Sequence, residues 1–135
     1  MIVVCGKNKK LKRLIDMIAK RYNAKNIHVF GFVSFMPELM NIADCVISKS
    51  GPATIMETLS LQKPLILCSY VRGQELGNML FVKLNKVGYY LPSSYNAVVK
   101  TEEILSNSME EIQENIKKLN IKNGVEDIAR FVMTV

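Results

Sequence analysis

The stretch whose residue types and spacing best suit ligand binding runs from Ser48 to Glu57. The small polar loop Ser48–Gly51 follows a short apolar run, and Pro52 has the φ angle that suits a first helical position. A strand, a tight loop and a helix start in this order present free backbone N–H groups and the positive end of a helix dipole to an anion. Glu57 lies one turn into the helix. Its carboxylate can accept ribose hydroxyls while the helix start holds phosphates, so the stretch predicts a nucleotide diphosphate site.

Other polar and glycine-containing segments also follow predicted strands. They are Gly6-Lys7-Asn8, Gly31-Phe32-Val33, Ser69 to Asn78 and Pro92-Ser93. In parallel sheets, ligands bind at the carboxyl ends of the strands. Glycine lets the backbone approach a phosphate, and small hydroxyls supply donors, so this distribution favours the same kind of site.

The elements that must position these loops alternate along the chain. Short apolar strands are predicted at Ile2–Cys5, Ile27–Phe30, Cys45–Ile47, Leu65–Cys68 and Gly88–Leu91. Helices are predicted at about 9–22, 37–43, 53–61 and 78–86, with a helical tail of about 97–106, 108–119 and 124–134. This alternation predicts an α/β, Rossmann-like parallel sheet of five or six strands with helices on both faces. We expect residues 1–135 to form a single domain, of which 97–135 are the tail.

Composition narrows the class of protein. A chain of 135 residues that is 49% hydrophobic is a globular domain. Its net charge of +6 indicates an anionic partner, which could be a nucleotide, a nucleic acid or a membrane surface. Cysteines 5, 45 and 68 lie far apart in apolar runs, so we expect reduced thiols in a cytoplasmic protein.

Several familiar sites are excluded. The first strand is not followed by G-x-G-x-x-G, and Gly6-Lys7 lacks the upstream glycine of a P-loop. His28 is the only histidine, so neither a metal cluster nor a Ser/His/Asp arrangement is indicated.

The motifs together resemble a known family. Gly51-Pro52-Ala53-Thr54 with Glu57, Pro64 and Gly73-Gln74-Glu75-Leu76-Gly77-Asn78 resembles the donor-binding, C-terminal half of a GT-B glycosyltransferase. Within that fold, the chain resembles the diacylglycerol glycosyltransferases, including monogalactosyldiacylglycerol synthases and processive bacterial glucosyltransferases. The transferase that adds N-acetylglucosamine to the lipid-linked peptidoglycan precursor is a more distant relative. The resemblance covers roughly residues 2 to 92.

The resemblance implies contacts to a UDP-sugar, either UDP-glucose or UDP-galactose, without a metal or other cofactor. The implied contacts are to the diphosphate (Gly6, Asn8, Ser50, Gly51, Pro52, Ala53, Thr54), the uracil (Phe32, Val33), the ribose (Glu57) and the sugar (Gln74, Glu75, Asn78). Helix N–H groups would stabilise the charge that grows on the departing diphosphate.

A transferase of this family also needs a second domain that holds the acceptor and supplies the general base. We therefore expect a missing N-terminal domain to hold a lipid acceptor such as diacylglycerol, and no catalytic residue in this chain. The basic face of the predicted helix 9–22 is either a solvated face or a contact to an acidic membrane surface, such as the inner face of the cell membrane, and no nucleic acid is expected. The apolar end of the chain either forms a contact surface or packs on its own sheet; its residues are Ile128, Phe131, Val132, Met133 and Val135.

Two alternatives stay open. The chain could belong to another UDP-sugar enzyme of the same fold, such as the peptidoglycan transferase or a non-hydrolysing UDP-GlcNAc epimerase. It could also be a non-catalytic nucleotide-binding module. Gln74-Glu75 with Gly77-Asn78 favours the lipid transferase over the first alternative, whereas a Glu57→Ala variant with unchanged UDP binding would favour the module.

Overall fold

The computed structural model describes residues 1–122 and 124–134. The chain divides into two compact units. Unit 1 is Met1–Leu39, and unit 2 begins at Met40 and includes the remaining described residues.

Unit 1 is built around one parallel strand pair. Strand β1 (Ile2–Val4) pairs with β2 (His28–Phe30), and helix α1 (Lys9–Arg21) connects them. Parallel strands need such a crossover, because a tight hairpin can join only antiparallel neighbours. A second helix, α2 (Met36–Ile42), follows β2.

Unit 2 contains a three-stranded parallel sheet in the order β3-β4-β5. Its strands are β3 (Val46–Lys49), β4 (Leu65–Ser69) and β5 (Gly88–Tyr90), and the connecting helices are α3 (Pro52–Ser60) and α4 (Leu76–Leu84). The middle strand carries the core, because Leu65, Ile66 and Leu67 are all 0% exposed. Gly88 pairs in register with Leu65, so the two backbones lie close together where Gly88 has no side chain.

The C-terminal helices are more continuous than predicted. Helix α5 (Ser94–Glu103) runs through a π-helical turn, Ile104–Ser108, into α6 (Met109–Lys118). No glycine or proline interrupts this stretch, and buried Ile104 anchors the turn in the core. Helix α7 (Val125–Thr134) follows, and its Ile128, Phe131, Val132 and Met133 are exposed; Val135 lies outside the described residues.

The structure confirms an α/β fold with parallel strands flanked by helices, but the predicted single sheet of five or six strands is wrong. The described strands form one sheet of two and one of three. Alternation along the chain predicts strands and crossovers, but it does not say which strands share backbone hydrogen bonds. Strand β3 is not buried on both faces, as the predicted helices on both faces of the sheet would require, because Ile47 and Lys49 are exposed.

Helix α1 leaves most of its large apolar side chains exposed. Leu14, Met17 and Ile18 are exposed and, with Lys20 and Arg21, line a shallow groove. None of the helices in the described part of the chain is long and apolar enough to cross a membrane.

Candidate functional site

The loop between β3 and α3 is held by its own backbone and by β4. The Ser50 backbone N–H and hydroxyl both donate to the Ser69 carbonyl, at 2.8 and 3.0 Å. Ser50 is 0% exposed, and the only proton of its hydroxyl is used in this bond. The Gly51 N–H donates to the Lys49 carbonyl at 2.9 Å. The loop is therefore anchored before any ligand binds.

Helix α3 begins without a capping side chain. Gly51 is the N-cap and Pro52 the first helical residue, as the sequence predicts. The Ile55 N–H donates to the Gly51 carbonyl at 3.1 Å, so the first helical hydrogen bond is made. Across residues 1–122 and 124–134, the backbone N–H groups of Ala53 and Thr54 have no acceptor. The first turn of α3 therefore offers unpaired donors at the positive end of the helix dipole.

Glu57 lies in the second turn of α3 with an exposed side chain. No described residue pairs with its carboxylate, although its backbone carbonyl accepts a hydrogen bond from the Ser60 hydroxyl at 2.8 Å. A free carboxylate near the start of α3 has the chemistry for accepting vicinal hydroxyls.

A tight turn between β4 and α4 carries Gln74 and Glu75. The N–H groups of both residues donate to the Val71 carbonyl, at 3.2 and 2.9 Å. Gly73 has a φ of +82°, a left-handed conformation that favours glycine. Gln74 is exposed, whereas Glu75 is only 7% exposed.

The Glu75 carboxylate has a protein partner on each oxygen. Lys49 Nζ donates to Oε1 at 2.5 Å, and the Val71 N–H donates to Oε2 at 2.9 Å. The Lys49 ammonium and, to a lesser extent, the Val71 N–H lower the pKa of Glu75. Glu75 is therefore an anion fixed between the end of β3 and the turn.

Asn78 ties α4 to the same loop. Its side-chain amide donates to the Ser50 carbonyl at 3.0 Å. The sequence placed Asn78 at the start of the helix, but α4 begins at Leu76, so Gly77 and Asn78 lie in its first turn. Unit 2 thus brings Ser50, Gly51, Glu75 and Asn78 together around one loop.

In unit 1, the predicted site residues lie at the ends of β1 and β2. The Gly6 carbonyl oxygen is 3.7 Å from the point where a Cβ on Gly31 would stand. Lys7 Nζ lies 5.8 Å from the centre of the exposed Phe32 ring, and Val33 is half-buried. Asn8 caps α1, because its side-chain oxygen accepts a hydrogen bond from the Leu11 N–H at 3.0 Å.

The sequence analysis did not include Lys49 among the candidate site residues. A lysine at the exposed end of a strand has no distinctive pattern, and its ion pair with Glu75 joins positions 26 residues apart. The signal that was available is its place directly before Ser50-Gly51, in the loop already selected for phosphate binding.

Comparisons with known proteins bear on the whole chain. Residues 1–131 match the family described as the glycosyltransferase family 28 C-terminal domain. Monogalactosyldiacylglycerol synthase 2 of Arabidopsis thaliana is 35% identical over 98% of this chain and 28% of its own length. Processive diacylglycerol beta-glucosyltransferase of Bacillus cereus (strain B4264) is 32% identical over 95% of this chain and 31% of its own length.

These matches confirm the resemblance drawn from the motifs. The chain spans about 30% of the length of these two relatives. The match to the family nevertheless extends over nearly all of the chain, from β1 into α7. This chain therefore belongs to the glycosyltransferase family 28 C-terminal domain family.

Proposed function

We propose that the chain is the UDP-sugar-binding part of a hexosyltransferase that acts on a lipid such as diacylglycerol. The observation that carries the proposal is the start of α3, where the N–H groups of Ala53 and Thr54 and, one turn on, the Glu57 carboxylate have no partner among the described residues. The N–H groups would hold the diphosphate, and Glu57 would accept the ribose hydroxyls.

The remaining contacts follow the family resemblance. Gln74, the exposed residue of the turn, would meet the hexose together with Glu75 and Asn78. Phe32 and Val33 keep their predicted role at the uracil, and Gly6 and Asn8 at the diphosphate. The predicted contact of Ser50 with a phosphate would require its hydroxyl to release the Ser69 carbonyl, to which it donates its only proton.

The acceptor belongs to a part of the enzyme outside this chain. Both relatives carry diacylglycerol in their names, and the chain spans under a third of either one. We place the general base and the lipid site in the additional domain. The reaction would take place at the cytoplasmic face of the membrane, with the exposed apolar and basic groove of α1 as a contact to its surface.

Calorimetry with UDP tests the donor site. The chain should bind UDP, and Glu57→Ala should weaken binding by about tenfold or more, because it removes charge-assisted hydrogen bonds. Glu102→Ala, which removes an exposed glutamate of α5, is the matched control and should bind like the unmodified chain. Absence of both heat and a melting shift with UDP would contradict the donor site, and unchanged binding by Glu57→Ala would favour a module of another kind.

A further inference from the structure

We propose that Lys49 is a diphosphate-binding residue of the donor site, and that Glu75 is the positioning residue that holds its ammonium group beside Gly51. This inference rests on the proposed function, because it adds a residue to the same site.

The position of the Lys49 ammonium carries the inference. Lys49 Nζ lies 3.2 Å from the point where a Cβ on Gly51 would stand, so the cation is next to the N-cap of α3. Its side chain is 62% exposed and can meet a ligand from solvent. The glycine at the N-cap leaves room for the Lys49 ammonium group beside α3, because a Cβ at position 51 would crowd it.

Glu75 keeps the lysine in that place. A long lysine side chain in solvent samples many rotamers, and ordering it on binding opposes affinity. The carboxylate that holds Lys49 is itself fixed by the Val71 N–H and is almost fully buried. The cation is therefore ordered before a ligand arrives, and its remaining ammonium hydrogens can face a phosphate.

Lys49 gives the site a charged hydrogen-bond donor that the helix start alone lacks. Backbone N–H groups and the dipole provide partial charges, whereas an ammonium provides a full one for the diphosphate that leaves in the transfer reaction. Because uridine has no phosphate, Lys49 should matter for UDP and not for uridine.

Calorimetry with UDP and with uridine separates the possible roles. Lys49→Met should weaken UDP binding by about tenfold or more and leave uridine binding unchanged. Lys49→Arg keeps the cation and should retain most of the preference for UDP. Lys100→Met is the control, because Lys100 forms an ion pair of the same 2.5 Å length with Glu103 in α5. It should leave both affinities unchanged.

A double-mutant cycle tests the part played by Glu75. Glu75→Gln should weaken UDP binding in the unmodified chain and have no effect in the Lys49→Met background, because UDP lacks the hexose that Glu75 would contact, so Glu75 then acts only through its lysine. Tighter UDP binding by Glu75→Gln would overturn the positioning role, since it would show that the carboxylate competes with phosphate. Equal UDP affinities of the unmodified chain and Lys49→Met would overturn the role of Lys49 but leave the proposed function standing. Failure of the unmodified chain to bind UDP would overturn the proposed function itself.

Discussion

A methyl group at Gly88 is predicted to be among the most damaging small changes in unit 2. In Gly88→Ala the new Cβ would lie 2.1 Å from the Leu65 carbonyl oxygen and 3.0 Å from Val82 Cγ1. To reach even 3.0 Å from that oxygen, the backbones of β4 and β5 must separate by about 0.9 Å. Leu65 and Val82 are both 0% exposed, so neither neighbour can move into solvent.

The cost follows from this forced separation. Overpacking a well-packed core costs about 1–3 kcal/mol, and a clash with backbone belongs at the top of that range. We therefore expect Gly88→Ala to lower the free energy of unfolding by about 3 kcal/mol. For a chain of this size that corresponds to a fall in Tm of roughly 10 °C.

Thermal unfolding followed by circular dichroism measures the effect. Gly77→Ala is the matched control, because a Cβ there meets no atom of the described residues within 4 Å and Gly77 lies in the first turn of α4. Alanine favours a helix, so the control should melt at the same temperature or slightly higher. Equal melting temperatures of the Gly88→Ala and Gly77→Ala proteins would refute the close approach of β4 and β5.

Two further predictions concern charge. The Lys49 ammonium holds the pKa of Glu75 below its ordinary value of 4.5, so the stability that Glu75 contributes is complete above pH 4.5 and is lost as the pH falls through the lowered pKa. In urea unfolding from about pH 6 to about pH 3, the unmodified chain should therefore lose more stability than Glu75→Gln, and parallel losses would contradict the ion pair. The chain should co-sediment with vesicles that contain phosphatidylglycerol, because α1 contacts their surface. Met17→Glu should reduce the bound fraction more than Val98→Glu, an exposed control in α5. Equal binding to neutral phosphatidylcholine vesicles would count against the basic groove.

The order of strands and helices could be predicted because its signals are local. Pro52 marks the start of α3, and the apolar run Leu65–Leu67 marks a buried strand. The pairing of strands could not be predicted, because it depends on backbone hydrogen bonds between distant segments. The continuity of α5 and α6 was missed for a related reason: the buried side chain of Ile104 packs in the core and holds a turn that no sequence pattern marks.

The loops of the candidate site could be predicted from the sequence, but the hydrogen bonds and the ion pair that connect them could not. Gly51 and Glu57 were chosen from the strand, loop and helix-start pattern, and Gln74 from the family resemblance. Their contacts with a ligand stay predictions. The internal bonds of Ser50 and Glu75 were not visible, because their partners Ser69 and Lys49 are defined only by folding.

The burial of β4 has an evolutionary consequence for the loop that follows it. Hydrogen-bonded on both edges and closed to water from Leu65 to Leu67, this strand can open only when the core of unit 2 opens with it. Substitutions at the exposed positions Arg72 and Gln74 therefore leave the supporting strand untouched. Descendants of one ancestral domain can in this way vary these two surface positions while the scaffold beneath them is inherited without change.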